Sequence, residues 1–362
     1  MNKQRLLSID TLRGFDMMFI MGFAGLVTAI CGLFPGGADS FIAQQMRHVD
    51  WNGFAHHDTI FPLFLFISGM TFPFSAAKRC TEDGRPALLK RVFSRGLILV
   101  LLGLVYNHVL DLDLANVRIP SVLARIGLAW MFAALIYMYC SRLGRIIIAV
   151  AILVAYNLLL MIPAPDAAGA SALSLEGNIV GYVDRMIMPS HLLKQGVFDP
   201  EGILSTFPAI VTAMLGQFTG DFVRKPDVSH KTLKMLCAAA VMLGLGLLWN
   251  NSFPINKKLW TSSFVLVAGA YSVAMFAVFY WIIDVNGWTG WTPFFQIIGL
   301  NSITIYFAQR IIPFSSVNRF FFGGLAGLCP EPVAKVILAV GYVAICWLFL
   351  WFLHKKKVYL KV

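Results

Sequence analysis

Long apolar runs constrain this chain more than any other feature of its sequence. A helix needs about twenty apolar residues to cross the hydrocarbon core of a bilayer. Composition agrees with such spans, since 58% of the 362 residues are hydrophobic, only 13% are charged and the mean hydropathy is +0.74. The sequence therefore predicts an all-α integral membrane protein, a polytopic bundle of about ten transmembrane helices. The predicted spans lie near residues 14–34, 58–77, 92–110, 120–140, 146–163, 203–222, 233–250, 261–284, 294–313 and 333–353.

The basic residues predict how this bundle is oriented. Cytoplasmic loops of membrane proteins carry an excess of Lys and Arg. With the N-terminus inside, 17 of the 29 basic residues fall in inner segments and 8 in outer ones, so both termini are expected in the cytoplasm. The net charge of +11 is spread over short loops between spans, which argues against a nucleic-acid partner. We expect a single transmembrane domain over residues 1–362, with the outer loops 35–57 and 164–202 lining a site.

The stretch HVDWNGFAHHDTIFPLFLFISG, residues 48–69, places three histidines and two aspartates at the start of an apolar run. His48 is a candidate for acid–base or nucleophilic work because imidazole titrates near neutral pH; a solvated loop histidine is the alternative. Asp58 begins the second span, where an ionisable group usually faces a partner in the bundle or caps the helix. Adjacent helical residues point about 100° apart, so His56 and His57 cannot easily share an ion, and no metal is predicted.

Further charged residues lie on the predicted outer side. Arg118 and Arg125 bracket RIPSVLAR, and if the helix begins near Arg118 both guanidiniums share one stripe. They could pair with Asp58, hold a phosphate or form a structural ion pair. Glu201 of DPEG either caps the sixth span or points into a cavity to bind a substrate. These residues alone predict an outward-facing polar cavity, and they leave enzyme, transporter and receptor open.

Seven motifs, in this order along the chain, carry a resemblance to a known family. Together they resemble the membrane part of heparan-α-glucosaminide N-acetyltransferase and its bacterial relatives, often called NagX, and the similarity covers essentially the whole chain. The motifs are RLLSIDTLRGFDMMFIM, HVDWNGFAHHDTIFPLFLFISG, VRIPSVLARIG, GYVDRMI, FDPEGILST, PINKKLWTSSFV and WTPFFQIIGLNSITIYF.

The resemblance implies transfer of an acetyl group from acetyl-CoA, as co-substrate, to the amine of a terminal glucosamine. It implies that His48, three residues before the WNG motif, is the active histidine and that Asp58 belongs to the same site. An asparagine that the family has near the end of the first span is replaced here by the apolar stretch 21–23. The residues that the resemblance adds to the substrate site are Asn52, Asp184, Glu201, Asn256 and Lys257.

The resemblance also implies a place and a mechanism. We expect a protein of the bacterial inner membrane, with its site open to the outer side, and a homodimer. His48 either attacks the thioester to give an acetyl-imidazole or removes a proton from the sugar ammonium in a ternary complex. Direct transfer is favoured, because an acetyl-imidazole in a wet outer loop would hydrolyse. Arg118 and Arg125 suit the sugar, a structural carboxylate or the far end of the cofactor, and Arg91 and Arg95 on the inner side could attract the phosphates of CoA.

Two other functions use the same features. An O-acetyltransferase acting on a cell-envelope polysaccharide would place its chemistry at the same outer His48. A small-molecule transporter for amino sugars would prefer broken helices with Gly or Pro near the midplane, and Pro73, Pro208 and Pro313 allow that interpretation.

Overall fold

The computed structural model describes residues 6–82, 84–107, 109–113, 116–226 and 228–360. These residues are mostly helical and contain no β-strand, only an isolated bridge between Pro163 and Asn178, so the predicted all-α class is confirmed. The α-helices of the described ranges are α1 (Leu7–Met18), α2 (Ala24–Cys31), α3 (Phe41–Gln45), α4 (His56–Glu82), α5 (Gly84–Tyr106), α6 (Val122–Tyr139), α7 (Arg142–Leu160), α8 (Ile179–Ile187), α9 (Thr206–Arg224), α10 (Lys231–Asn250), α11 (Ser262–Tyr280), α12 (Thr292–Leu300), α13 (Ser302–Ile311), α14 (Phe314–Gly327) and α15 (Glu331–Lys355).

Seven helical segments of the described residues are long and apolar enough to cross a bilayer. The other three predicted spans also fold as helices: α5, α9, and the pair α12 and α13, which is interrupted at Asn301. Residues 1–5 and 361–362, to which the predicted terminal orientation refers, lie outside the described residues. The seven segments are Leu7–Cys31, His56–Ala77, Val122–Tyr139, Arg142–Leu160, Lys231–Asn250, Ser262–Val285 and Glu331–Lys355.

The first span differs from its prediction in two ways. It begins at Leu7 rather than near residue 14, and it is not one regular helix. Residues Phe19–Phe23 form a π-helical turn between α1 and α2, in which Gly22 has a φ of 125°. Only glycine adopts this backbone conformation readily, and a Cβ there would also lie 2.8 Å from the ring of Tyr342. The stretch that the sequence showed only as apolar is therefore a break in the helix.

The chain divides into two compact units. In the first unit, α1 and α12 pack backbone against backbone. A Cβ on Gly14 would lie 1.8 Å from the carbonyl oxygen of Phe295, and one on Gly299 would lie 2.1 Å from that of Asp10. Small residues permit such close approach between helices in membranes. The described residues of the first unit are 6–49, 55–60 and 275–360, and those of the second fall within 50–54 and 61–274.

In the second unit, α4 and α9 also pack backbone against backbone at glycine residues. A Cβ on Gly69 would lie 2.0 Å from the carbonyl oxygen of Ala213, and one on Gly216 would lie 2.0 Å from that of Phe66. Backbones this close require glycine at both positions, because any side chain there would collide with a carbonyl group. The loop that carries DPEG leads directly into α9 and so ends at a helix packed closely against α4.

Candidate active site

His48 and Asp58 lie together in the first unit. The imidazole Nδ1 and the carboxylate Oδ1 are 2.8 Å apart, which is a hydrogen-bond distance. The side chain of His48 is 55% exposed, whereas that of Asp58 is only 2% exposed. A neutral imidazole would donate its Nδ1 hydrogen to this carboxylate, so the lone pair for base or nucleophilic chemistry would lie on Nε2. The enclosed carboxylate therefore orients an accessible imidazole.

The start of α4 fixes the position of Asp58. Its Oδ2 accepts hydrogen bonds from the backbone N–H groups of Ala55 and Val49, both at 3.3 Å. Ala55 precedes the first residue of α4, so Asp58 is the third helical residue and reaches back to the N-cap, as in a capping box. The two interpretations offered by the sequence are thus combined, because one oxygen caps the helix and the other contacts His48.

His56 and His57 occupy the first turn of α4 and have different surroundings. The ring of His57 lies 4.5 Å from that of His48, between centroids, while the ring of His56 lies 4.5 Å from that of Phe19. The backbone N–H of His56 donates to Oε1 of Gln45 at 2.8 Å. Within the described ranges, no group of three or more His, Cys, Asp or Glu side chains is arranged to hold a metal ion.

In the second unit, Arg118 binds two carboxylates. Its Nε and Nη2 donate to the two oxygens of Asp199 at 2.7 and 2.6 Å, and Nη2 also contacts Glu201. Burial disfavours the charge of Arg118, but these hydrogen bonds and the two negative charges outweigh it and raise its pKa above the usual value. Asp199 is fully buried, and Lys194 lies 3.8 Å from Glu201. The predicted ion pair of Arg118 is therefore present, with partners that lie more than 80 residues away in the sequence.

Arg125 is held differently from Arg118, and one sequence expectation about the pair is wrong. The helix that contains Arg125 begins at Val122, so Arg118 precedes it and the two guanidiniums do not share a helical stripe. The Nη2 group of Arg125 donates to the carbonyl of Gly202 at 3.1 Å and contacts the hydroxyl of Ser205. The guanidinium also lies 5.2 Å from the ring centroid of Trp260, within cation–π range.

Asp184 is buried beneath the DPEG turn. Its two oxygens accept hydrogen bonds from the backbone N–H groups of Asp199 and Ile203, at 3.2 and 3.4 Å. Burial, reinforced by the negative charge of Asp199, raises the pKa of Asp184 to about 6. This carboxylate thus links α8 to the turn through hydrogen bonds. At neutral pH its buried negative charge lowers the stability of the folded state.

Asn52 and Asn256 form a direct pair in the same unit. The amide Nδ2 of Asn256 donates to Oδ1 of Asn52 at 3.1 Å, and Oδ1 of Asn256 accepts from the backbone N–H of Leu259 at 2.9 Å. A backbone hydrogen bond of 2.8 Å from Gly53 to Ile255 runs beside the pair. The WNG and PINKK motifs therefore meet, with Lys257 half-buried next to Asn256.

The two arginines predicted to attract the phosphates of CoA lie on α5. Arg91 is exposed and Arg95 is half-buried. The guanidinium of Arg95 lies 4.2 Å from the ring centroid of Trp130, so it stacks on α6. A phosphate role for either arginine stays a prediction.

The chain is 28% identical to mouse heparan-α-glucosaminide N-acetyltransferase over 99% of its own length and 60% of that protein. It is 28% identical to the human protein of the same name over 85% of its own length and 53% of that protein. The predicted resemblance to heparan-α-glucosaminide N-acetyltransferase is confirmed. The chain thus spans little more than half the length of these curated acetyltransferases, and no family model matches it.

Beside the positions that the acetyltransferase resemblance marked, the structure adds two that sequence reasoning missed. Asp199 holds Arg118, and Ser205 contacts Arg125. Asp199 is the first residue of the DPEG motif that also contains Glu201, and an aspartate at the start of such a turn is the signal that could have identified it. Ser205 has no such signal, since a serine beside a helix start is common.

Replacing Asp184 with asparagine is expected to change how thermal stability depends on pH. The folded pKa, about 6, exceeds the ordinary value of 3.8, so the native state holds the proton more tightly between these values. Stability from this group is therefore present below pH 3.8 and is lost as the pH rises through 6. Melting curves of purified protein from pH 4 to 7 should show a steeper decline for the wild type than for Asp184→Asn.

The exposed carboxylate of Asp166, which pairs with Arg185, supplies the control for this prediction. Hydrogen bonding to Arg185 lowers the pKa of Asp166, so its contribution is lost only at pH values below the range measured. Asp166→Asn should leave the slope between pH 4 and 7 unchanged. Equal slopes for the wild type and Asp184→Asn would contradict the raised pKa.

Proposed function

We propose that this protein is a transmembrane acetyltransferase. It moves the acetyl group of cytosolic acetyl-CoA to the amine of glucosamine, or of a terminal glucosaminide, on the outer side of a bacterial inner membrane. The observation that carries the proposal is the 2.8 Å contact between the accessible imidazole of His48 and the enclosed carboxylate of Asp58. Similarity to two N-acetyltransferases along most of the chain supports the choice of reaction.

In the proposed reaction, His48 is the general base. Its Nε2 takes a proton from the glucosamine ammonium, and the resulting amine attacks the carbonyl carbon of the thioester. The C–N bond forms as the C–S bond breaks, and the second amine proton passes to the CoA thiolate. His48 then returns its proton to solvent, so one proton is released per turnover. Asp58 orients the imidazole through its contact with Nδ1.

The proposal includes the topology and the remaining site residues. Ten spans with cytoplasmic termini would put loops 35–57 and 164–202 on the outer side, and the protein would work as a homodimer. A glucosamine ammonium calls for a carboxylate partner, and Glu201 and Asp184 are the candidates. We assign CoA phosphates to Arg91 and Arg95. The acceptor is assigned to the polar residues Asn52, Arg118, Arg125, Asp184, Glu201, Asn256 and Lys257.

A panel of acceptors tests the proposed activity. The full chain, reconstituted in lipid nanodiscs, is mixed with acetyl-CoA and with glucosamine, N-acetylglucosamine, glucose or a neutral polysaccharide, and release of the CoA thiol is followed. We expect release with glucosamine and none with N-acetylglucosamine, whose nitrogen is already acylated. Release with glucose or the polysaccharide would indicate O-acetyl transfer. Glucosamine counterflow in liposomes without thiol release would indicate a transporter.

A further inference from the structure

A groove of about 690 Å³ lies within the first unit, between the first span and α15. Its walls are mainly apolar or small residues: Gly25 and Ala29 from α2, and Leu338, Ala339 and Tyr342 from α15. The proposed acetyl transfer uses none of these residues. The groove therefore needs an explanation of its own.

The two ends of the groove differ in polarity. At one end, Gly22 approaches the ring of Tyr342, and the hydroxyl of Tyr342 accepts a hydrogen bond from Gln309 at 2.9 Å. At the other end, where the first span finishes and α15 begins, the lining includes the charged residues Arg47, Glu331 and Lys335. An occupant with a polar head and an apolar body would match this polarity.

The length of the groove matches one leaflet of a bilayer. From Glu331 to Tyr342, α15 advances by roughly 16 Å at its rise of 1.5 Å per residue. Half of the hydrocarbon core of a bilayer is about 15 Å thick. An acyl chain that enters from the charged end would therefore run along the groove for about the depth of its own leaflet.

Gly25 keeps the middle of the groove open. A Cβ at this position would meet no heavy atom within 4 Å, so neither packing against a neighbour nor a left-handed backbone explains the glycine. Glycine inside a helix is less favourable than alanine, because the unfolded chain loses more backbone freedom on folding. The open wall at Gly25 therefore leaves room for a molecule that is not part of the chain.

The charged end favours an anion. Arg47 and Lys335 supply two positive charges and Glu331 supplies one negative charge. Lys335 and Glu331 form an ion pair at 2.7 Å. Both side chains are exposed, Lys335 by 65% and Glu331 by 79%. Exposed pairs of this kind contribute little, so Lys335 is easily drawn to a phosphate, which binds cations through charge-assisted hydrogen bonds.

We propose that this groove binds one anionic phospholipid. Its phosphate lies between Arg47 and Lys335, and one acyl chain lies along Gly25, Ala29 and Leu338 towards Tyr342. Length, polarity and net positive charge together specify this occupant, and the site is independent of the proposed transfer reaction.

Native mass spectrometry of the detergent-purified full chain tests the lipid site. The protein is titrated with phosphatidylglycerol and with phosphatidylcholine that carry the same acyl chains. We expect one phosphatidylglycerol to be retained more tightly than phosphatidylcholine. Each basic residue near a membrane surface contributes about 1 kcal/mol to anionic lipid binding, or about fivefold in affinity. The double variant Arg47→Gln/Lys335→Gln should therefore bind phosphatidylglycerol about 25-fold more weakly, with little change for phosphatidylcholine.

Filling the groove supplies a second, independent variant. Gly25→Leu should weaken retention of both lipids, because its side chain takes the place of the acyl chain. The matched controls are Gly244→Leu, at another glycine with open space around it, and Arg319→Gln, at another exposed arginine. Both controls should bind as the wild type does. If Gly25→Leu does not fold, the charge variants decide alone.

Three results would overturn the lipid site. The first is equal retention of the two lipids by the wild type, and the second is unchanged lipid binding by a folded Gly25→Leu protein. The third is competitive displacement of the lipid by acetyl-CoA, which would assign the groove to the acetyl donor. None of these results depends on acetyl transfer, so the lipid site and the proposed function succeed or fail separately.

Discussion

Acetyl transfer to glucosamine is expected to fall by roughly 10²- to 10⁴-fold when His48 is replaced with alanine, which is the usual contribution of a general base. The variant loses the imidazole and its Nε2 lone pair, while the backbone at position 48 is unchanged. Folding should persist, because the side chain of His48 is 55% exposed and leaves no large cavity. Steady-state rates of thiol release, with acetyl-CoA and glucosamine both saturating, measure the effect.

Two companion variants make the result on His48 specific. His191→Ala, at another exposed histidine, should keep wild-type activity. Asp58→Asn should lower the rate less than His48→Ala does, since the imidazole remains but loses the carboxylate that orients it. Added imidazole should partly restore His48→Ala. A fully active alanine variant would remove the central assignment.

A single-turnover experiment separates the two mechanisms for His48. The protein is mixed with acetyl-labelled acetyl-CoA in the absence of sugar and quenched rapidly. Direct transfer in a ternary complex leaves no label on the protein. A label on His48 would establish an acetyl-imidazole intermediate and exclude direct transfer.

Replacing Arg118 with glutamine is expected to cost roughly 3–5 kcal/mol of unfolding free energy, the range for breaking one side of a buried ion pair. Asp199 is fully buried and the side chain of Glu201 is 9% exposed, so both would lose a charged partner without gaining water. Arg118→Lys should recover only part of the loss, because an ammonium cannot reproduce the bidentate contact with Asp199. Unfolding in a titration with sodium dodecyl sulfate measures the change.

The pair of Arg185 and Asp166 is the matched control for Arg118. It has similar bidentate geometry, at 2.8 and 2.7 Å, and the side chain of Arg185 is 17% exposed, but the side chain of Asp166 is 41% exposed. Arg185 also donates a hydrogen bond to the carbonyl of Val197. An ion pair with an exposed carboxylate contributes no more than about 1 kcal/mol, so Arg185→Gln should cost clearly less than Arg118→Gln. A variant that combines Arg118→Gln with Asp199→Asn and Glu201→Gln should regain much of the stability. A loss for Arg118→Gln as small as for Arg185→Gln would show that the cluster is not structural.

The candidate reacting pair could be predicted from sequence because it is local. His48 and Asp58 are ten residues apart in the sequence. One lies on a short loop and the other at the start of the helix that follows, so the two side chains are close in most conformations of the loop. The apolar runs likewise predicted most helix positions to within a few residues, since the requirement for internal hydrogen bonding in lipid acts on each span separately.

The contacts of Arg118 could not be predicted in the same way. Its sequence position suggested a helical stripe with Arg125, or a partner at Asp58, yet it binds Asp199 and Glu201 across more than 80 residues. Which carboxylate meets a given arginine depends on how helices pack, and neither helical periodicity nor charge carries that information.

The sequence by itself determined which segments are helical and apolar enough to cross a bilayer. It also marked the imidazole and the carboxylate of the candidate reacting pair, because hydrophobicity and short-range geometry are properties of neighbouring residues. Only the tertiary structure decided the partners of Arg118, the helix break at Gly22 and the groove beside Gly25. Each of these features depends on segments that are distant in the sequence and adjacent in the structure. Their geometry is therefore determined by how two helices pack together, not by the conformational preference of either helix alone.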